Sequence, residues 1–304
     1  MKHIFIVNPA AGKGESMSVY LPRILKRFSD AGVEYEIHRT LNAADVSAWS
    51  KKRAEAGDEV RFYACGGDGT INDVASSLVG RPNAQLAAIP CGSGNDFVRN
   101  FTHKENFLSL DRLINGTVCD IDVISYGDQF AVNMCNIGAD CDVVIRASEL
   151  KGKLNGAAIY MAAALEVLPK GPKYHLSYTI DGVETEEDCL LMAVGNGAYC
   201  GGGFYACPKA NLVDGKMDIC IAGPVKGARL LATLLKYKAG EHVDNPKLAD
   251  LIKYVQVDSF KLKAMEPVHI CKDGETSLFE EAEFKVLPRA LKFVIPAGSE
   301  LIKK

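Results

Sequence analysis

No part of this chain stays apolar for the ~18 residues that a membrane-crossing helix needs. The nearest candidate, residues 157–168, is shorter and carries Glu166. Basic charge is not in excess either: 35 Lys and Arg stand against 38 Asp and Glu, a net of -3, which argues against a general nucleic-acid binder. No CxxC pair occurs among the ten cysteines, and several of them (Cys65, Cys135, Cys189, Cys220, Cys271) sit in apolar or strand-like surroundings. No secretory signal is present: the start, Met1-Lys2-His3-Ile4-Phe5-Ile6-Val7, is too short for one and reads as a first strand. The cysteines therefore read as reduced thiols of a cytosolic chain. With 304 residues the chain exceeds a typical single core, so two domains are expected.

The stretch that is most informative is Cys65-Gly66-Gly67-Asp68-Gly69-Thr70-Ile71-Asn72-Asp73. Before it, Val60, Phe62 and Ala64 alternate as in a buried strand; after it, Ile71, Val74, Ala75, Leu78 and Val79 recur at helical spacing. The glycines thus occupy a strand-to-helix turn, where the backbone reaches positive φ and a ligand can approach closely. The helix start offers free N–H groups and a positive dipole end, which suit phosphate. Asp68 in such a turn makes sense if a cation stands between carboxylate and phosphate. The bland alternative is a helix cap in an ordinary tight turn.

Two further glycine turns follow strands. Residues 3–7 lead into Asn8-Pro9-Ala10-Ala11-Gly12-Lys13-Gly14, before a helix expected over 16–30. This is no Walker loop, because Gly14 and Val7 stand where that pattern needs Ser or Thr and a glycine. Lys13 suits either a phosphate contact or a solvated turn. A strand over 33–38 and a helix over 40–56 come next. A strand over 86–89 closes in Pro90-Cys91-Gly92-Ser93-Gly94-Asn95-Asp96-Phe97, which is no dinucleotide fingerprint, since Phe97 holds the third glycine's place. Alternating strands and helices over 3–115 predict an open parallel α/β sheet, whose ligands bind at the carboxyl ends of strands. The three turns would then face one crevice and suit a phosphate-rich ligand.

Beyond about residue 118 short strands dominate, expected over 119–125, 129–136, 174–180, 188–194, 216–221, 254–262, 268–272, 282–287 and 291–295. Asp181-Gly182 and Asp273-Gly274 are hairpin signals, and this half reads as antiparallel sheet, a sandwich. Two helical patches interrupt it. Residues 155–168 are Ala-rich and stop at Pro169. Residues 226–239 carry Leu230, Leu231, Leu234 and Leu235 on one stripe among Lys226, Arg229, Lys236 and Lys238, with Gly240 as C-cap. That helix either packs its leucines internally or lies on anionic lipid.

Taken together, these motifs resemble the diacylglycerol kinase catalytic-domain family, in particular the bacterial soluble lipid kinases that are also similar to sphingosine kinases. The resemblance rests on Asn8-Pro9 with its glycines, on residues 66–70 followed by Asn72, and on Gly92 with Asn95-Asp96-Phe97. It continues through Asn133 to Gly138 and Asp140, Asp214-Gly215, Gly240 with His242, and Asp273-Gly274-Glu275. Residues 66–70 alone are shared with NAD kinases and resemble a phosphofructokinase turn; the combination points to lipid kinases.

The resemblance implies an N-terminal α/β nucleotide-binding domain over about 1–120 and a C-terminal antiparallel β-sandwich over 121–304, of the NAD kinase and diacylglycerol kinase kind. The active site would lie between them, and the last residues could return to the first domain. It implies ATP lined by Asn8, Thr40, Gly66, Gly67, Asp68, Gly69, Thr70 and Ser93. Many members have Thr at the place of Ser93, and most have Glu at that of Asp73. Asp68, Asp96 and Asp122 match acids that organise a catalytic Mg²⁺, partly through water; Asp96 could instead cap a helix. A structural Mg²⁺ site matches the Asp214 carboxylate with the carbonyls of Asn211 and Lys216, although a plain Asp-Gly turn has the same spacing. Gly201-Gly202-Gly203-Phe204 would be a mobile loop near the acceptor. Asp273 would be the general base, with Glu275 next in line, and Asp273→Asn is expected to leave folding intact. The implied activity is phosphoryl transfer to a lipid hydroxyl, diacylglycerol being the family's commonest acceptor. A sphingoid base, phosphatidylglycerol, NAD, or a non-catalytic nucleotide-binding role stay as alternatives. The partners implied are a membrane surface met transiently from the cytoplasm and no nucleic acid; a homodimer is compatible.

Overall fold

The computed structural model describes residues 1–14, 16–29, 34–150 and 157–303. The Lys13 side chain, the expected helix end and strand start at 30–33, and the expected helix start at 155–156 lie outside the described residues. The chain divides into two compact units, Met1–Val123 with Pro288–Lys303, and Ile124–Leu287.

The first unit holds β1 (Lys2–Val7), β2 (Tyr35–Arg39), β3 (Val60–Gly66), β4 (Ala84–Pro90) and the start of β5 (Thr117–Tyr126). β1 pairs with β2 and β3, β3 pairs with β4, and Lys292 and Phe293 of the chain's last strand pair with Gln85 and Leu86, all parallel. Every residue of β3 is buried, as expected of a strand covered on both faces, including Arg61, whose guanidinium donates to Gln85 Oε1 and to the Leu113 and Ile114 carbonyls. The helices are α1 (Leu21–Ser29), α2 (Ala43–Ala54), α3 (Asp68–Leu78) and the short α4 (Leu110–Ile114). A π-helical turn, Ser16–Tyr20, precedes α1. α2 starts at Ala43 rather than at Thr40 because Asn42 caps it, its side chain accepting from the Asp45 N–H.

In the second unit β6 is Gln129–Ala131, β7 Met134–Gly138, β8 Tyr174–Ile180, β9 Val183–Cys189 and β10 Leu191–Gly195. β11 is Met217–Ala222, β12 Ile252–Val257, β13 Ser259–Lys272 and β14 Glu275–Ile295, the last strand of the chain. The order β12-β11-β10-β7-β13-β14 is antiparallel throughout. On the edge where Ile270–Lys272 of β13 pair with β7, Lys261–Ala264 pair with β8, which carries β9 in a hairpin. Along β10, Leu191 and Ala193 face the helices α5 (Ala139–Glu149), α6 (Ala157–Val167) and α7 (Gly227–Ala239), while Met192 and Val194 face a core shared with β8 and β13. The central strands are apolar on both sides for that reason. Both Asp-Gly hairpins form: Ile180 pairs with Val183 and Lys272 with Glu275, with Asp181 and Asp273 at φ 50° and 45°.

Several expected elements need correction. Residues 129–136 are not one strand: the run breaks at Val132 and Asn133, whose N–H groups serve another partner, described below. Residues 282–287 and 291–295 belong to one strand, β14, which absorbs Arg289 at φ 52°. The leucine stripe of α7 splits. Leu230 and Leu234 are buried, but Leu231 and Leu235 are 50% and 57% exposed, because adjacent helical residues point about 100° apart. All ten cysteines are free thiols.

Candidate functional site

The carboxyl ends of β1, β3 and β4 carry the three glycine turns, and local contacts lock them together. Asn8 at the end of β1 donates from its N–H to the Cys65 carbonyl at 3.0 Å and from Nδ2 to Thr70 Oγ1 at 3.0 Å, while its Oδ1 accepts from the Ala10 N–H. Thr70 folds over Gly66 so closely that a Cβ there would lie 2.4 Å from the Thr70 side chain. Gly67 and Gly92 meet backbone to backbone: a Cβ on Gly92 would stand 2.5 Å from Gly67 Cα. The Cys91 N–H donates to the Gly66 carbonyl at 2.9 Å, and Asn95 Oδ1 accepts from the Gly92 N–H at 2.9 Å. Asn95 holds φ 51°, a left-handed conformation that Asn tolerates. Gly69 lies in the first turn of α3, and Ser93 is exposed at the tip of the third turn. Thr40 is buried at the end of β2, its N–H donating to the Val7 carbonyl.

Asp68 is the first residue of α3, where the dipole favours an anion. It does not cap that helix with its side chain; Oδ1 instead accepts from the Phe97 N–H at 3.0 Å, reaching into the third turn. Though part of the residue reaches solvent, its carboxyl is packed around. Burial pushes it above the usual carboxylate range, against the pull of the N–H groups of Phe97, Asp96 and Asn95. Asp68 Oδ2 and Asp96 Oδ2 each stand 3.0 Å from the position a Gly94 Cβ would take, so two carboxylates converge on one point. Asp96 makes no side-chain cap bond to the 3-10 turn Phe97–Asn100. Asp122, fully buried, accepts from the Arg289 N–H at 2.8 Å. Among the described residues no three His, Cys, Asp or Glu side chains are placed to hold one metal ion, so Asp68, Asp96 and Asp122 do not form a directly ligating trio. The Asp68–Asp96 pair is the part of that set that comes together, and its hard oxygens fit Mg²⁺.

Asp273, in the second unit, is 7% exposed. Its Oδ2 accepts from the N–H groups of Val132 and Asn133 at 3.1 and 3.3 Å, and its Oδ1 from that of Met134 at 2.9 Å. This carboxylate is what breaks the expected 129–136 strand into β6 and β7. Asp214 Oδ1 accepts from the Lys216 N–H at 3.0 Å, closing a tight turn, and Asn211 Oδ1 is buried with no hydrogen-bond partner among the described residues.

An apolar cavity of about 40 Å³ lies within the second unit, walled by Tyr160, Ala164 and Leu168, by Leu234 and Tyr237, and by Phe204 after the glycine loop. Besides the tyrosine hydroxyls, Asn136 and Asp140 are polar side chains in its lining. Asn136 is 5% exposed, and its Oδ1 finds no partner among the described residues. Asp140 Oδ2 accepts from the Tyr237 hydroxyl at 3.2 Å, and burial raises its carboxyl to about 6. The sequence reading missed Asn136; Asp140 figured there only as a match to the family. An Asn in a short strand carries no signal of its own.

Interlocked glycine turns at the carboxyl ends of a parallel sheet, with an antiparallel unit in the same chain, place this protein in the class that joins an α/β domain to a β-sandwich. Residues 2–126 match the diacylglycerol kinase catalytic domain and residues 133–295 the YegS C-terminal NAD kinase beta sandwich-like domain. A diacylglycerol kinase of Bacillus subtilis (strain 168) is 28% identical over 295 residues, covering 96% of this chain and 95% of the relative. A probable lipid kinase YegS-like of Pseudomonas aeruginosa (strain UCBPP-PA14) is 29% identical over 277 residues, covering 90% of this chain and 89% of the relative. A crystal structure of a diacylglycerol kinase from Bacillus anthracis str. Sterne superposes with a TM-score of 0.70 at 22% identity, covering 99% of this chain and 98% of that one. The chain belongs to the diacylglycerol kinase catalytic-domain family: it is a lipid kinase with an α/β catalytic domain and a β-sandwich domain. Membership of a kinase family implies a nucleotide phosphate donor.

Proposed function

We propose that this lipid kinase transfers the γ-phosphate of ATP, with Mg²⁺, to the hydroxyl of diacylglycerol, giving phosphatidic acid. The observation that carries the nucleotide half is the interlocked set of turns around Asn8, Gly66, Thr70 and Gly92, beside the converging Asp68 and Asp96. The free N–H groups at the start of α3 would bind phosphate oxygens, with Asn8, Thr40, Gly67, Gly69 and Ser93 lining the nucleotide. Asp68 and Asp96 would hold Mg²⁺, with Asp122 acting through water; the cation would supply charge neutralisation on the transferring group. The acceptor oxygen forms its bond to the γ-phosphorus, the bond to the β–γ bridging oxygen breaks, and Asp273 takes the hydroxyl proton. The cavity around Tyr160, Leu168 and Phe204 supports an acceptor with an apolar chain, and Asn136 Oδ1 offers an acceptor for its hydroxyl. The cavity must widen to admit a chain, and positive φ at Gly201, Gly202 and Gly203 makes one wall the natural place. Asp214, through its carboxylate, with the backbone carbonyls of Asn211 and Lys216, is proposed for a structural Mg²⁺, and the Asn211 side-chain Oδ1, without a hydrogen-bond partner among the described residues, offers a further oxygen beside them.

Among the described residues no helix is long and apolar enough to cross a membrane. We propose transient docking through Leu231 and Leu235 of α7. The basic residues beside them are partly engaged: Arg229 pairs with Asp250, Lys236 lies 3.7 Å from Glu241, and Lys238 covers the Phe204 ring. The deciding experiment incubates the protein with γ-labelled ATP, Mg²⁺ and a total lipid extract, and in parallel with diacylglycerol micelles and with NAD. Labelled phosphatidic acid is expected. Label in NAD alone would end this reading, and label in another lipid would replace the acceptor.

A further inference from the structure

Arg99 lies in the 3-10 turn just after the third glycine turn, and its guanidinium makes one ion-pair contact and one hydrogen bond there. Nε stands 3.1 Å from Asp96 Oδ1, and Nη2 donates to the Gly94 carbonyl at 3.2 Å. Oδ1 is the Asp96 oxygen on the Arg99 side, in an ion-pair contact that lacks hydrogen-bond geometry, while Oδ2 is turned to the Gly94 Cβ position, the point that Asp68 Oδ2 also approaches at 3.0 Å. Two oxygens that are each 3.0 Å from one point are no more than twice that apart. Two ionised carboxylates so close, one of them on a side chain only 8% exposed, repel strongly unless a positive charge stands beside them. Arg99 is that charge in the protein alone, and its own side chain is 28% exposed, so solvent weakens it only in part.

We propose that Arg99 is a positioning residue for the kinase reaction: a resident counter-charge that aims Asp96 at Asp68 and limits how tightly the acid pair takes a divalent cation. This rests on the reading of Asp68 and Asp96 as a Mg²⁺ seat. Arg99 exerts two opposed effects on that seat. It orients Asp96, which favours the cation, and it repels the cation through its own charge. Because the Nε–Oδ1 contact lacks hydrogen-bond geometry, its orienting effect is weak, and the direct repulsion between the guanidinium and a doubly charged ion is the larger effect. The seat therefore releases its cation with product instead of holding it permanently.

The test measures Mn²⁺ binding to the nucleotide-free protein by electron paramagnetic resonance, with unfolding midpoints recorded for each variant. Arg99→Gln is expected to bind Mn²⁺ about tenfold more tightly than the wild type, and Arg99→Lys to stay within about threefold of it. Gly94→Ala, whose methyl would occupy the point between the two oxygens, is expected to weaken Mn²⁺ by about tenfold or more while Arg99 is intact. A folded Arg99→Gln protein whose Mn²⁺ affinity is unchanged or lower would overturn the inference and leave the Mg²⁺ reading standing. Failure of the wild type to bind Mn²⁺ at all would overturn both.

Discussion

Gly92 shows how a single missing methyl group decides whether two of the glycine turns can meet. Its Cβ would meet Gly67 Cα, a backbone atom of another strand's turn, and neither backbone can yield without undoing the Cys91–Gly66 hydrogen bond. Gly92→Ala should cost about 1–3 kcal/mol as local overpacking. ATP is expected to raise the melting temperature of the wild type, and Gly92→Ala should abolish that rise. Ser93→Ala, exposed one residue away, should leave the melting temperature in place. A Gly92→Ala protein as stable as the wild type would show that the two turns have slack. Asp273 needs a different expectation from the one its sequence suggests. An Asn there keeps the size, but its NH₂ must face one of the backbone N–H groups now bound to Oδ1 or Oδ2. Asp273→Asn should therefore lose about 1–3 kcal/mol of stability. Assayed well below its melting temperature, it should lose turnover by a further ~10²–10⁴-fold. Lost stability with wild-type turnover would make Asp273 a bracing residue only.

At the level of elements, what the sequence makes visible is what is encoded locally. The parallel strands ending at Val7, Gly66 and Pro90 announce themselves by apolar runs followed by glycine, and both Asp-Gly hairpins stand where their turn residues put them. The grouping of the three turns also follows from strand direction alone. Asn8 reaching Thr70, and Gly67 touching Gly92, are contacts between residues far apart in the chain, and no local pattern shows them. α5 escaped notice for a similar reason: it follows β7 without a break, and its buried Ala139, Val143 and Ala147 look as much like strand as helix. The split strand at Val132 and Asn133 depends on a carboxylate about 140 residues away. α7 offers the clearest test at this scale. Leu230→Ala and Leu234→Ala remove side chains packed in the helix-side core and should each cost about 2–5 kcal/mol. Leu231→Asp and Leu235→Asp should change stability by about 0.5 kcal/mol or less, yet weaken sedimentation with anionic lipid vesicles. Because the neighbouring cations are partly engaged, added salt should weaken that binding only modestly. Vesicle binding untouched by both Asp substitutions would remove α7 from the docking surface.

For the molecule as a whole, the two units carry buried groups that answer acid in opposite directions. In the first, His3 on β1 lies 2.8 Å from the Tyr63 hydroxyl. Burial, helped by the charges of Arg61 and the chain's amino terminus, lowers its pKa from 6.5 to about 4. As pH falls below 6.5 the unfolded chain takes up a proton that the folded imidazole refuses until about 4, so this unit loses stability across that window. At ~1.4 kcal/mol per pH unit the loss is up to about 3 kcal/mol. In the second unit burial raises Asp140 from 3.8 to about 6, the Tyr237 hydroxyl pulling the other way. Above pH 6 the folded state must keep that carboxylate ionised at a cost. As pH falls from 6 towards 3.8 the folded carboxyl takes a proton before the unfolded one does, and the cost, again up to about 3 kcal/mol, is relieved. Hydrogen exchange compared at pH 7 and pH 4.5, corrected for intrinsic rates, should show the opening free energy of β1 and β3 amides falling relative to those of α5. His3→Phe should flatten the change in the first unit alone, and Asp140→Asn the change in the second alone. A shift that is equal in both units, and that neither substitution alters, would mean that other carboxylates govern the acid response and that these two buried groups do not.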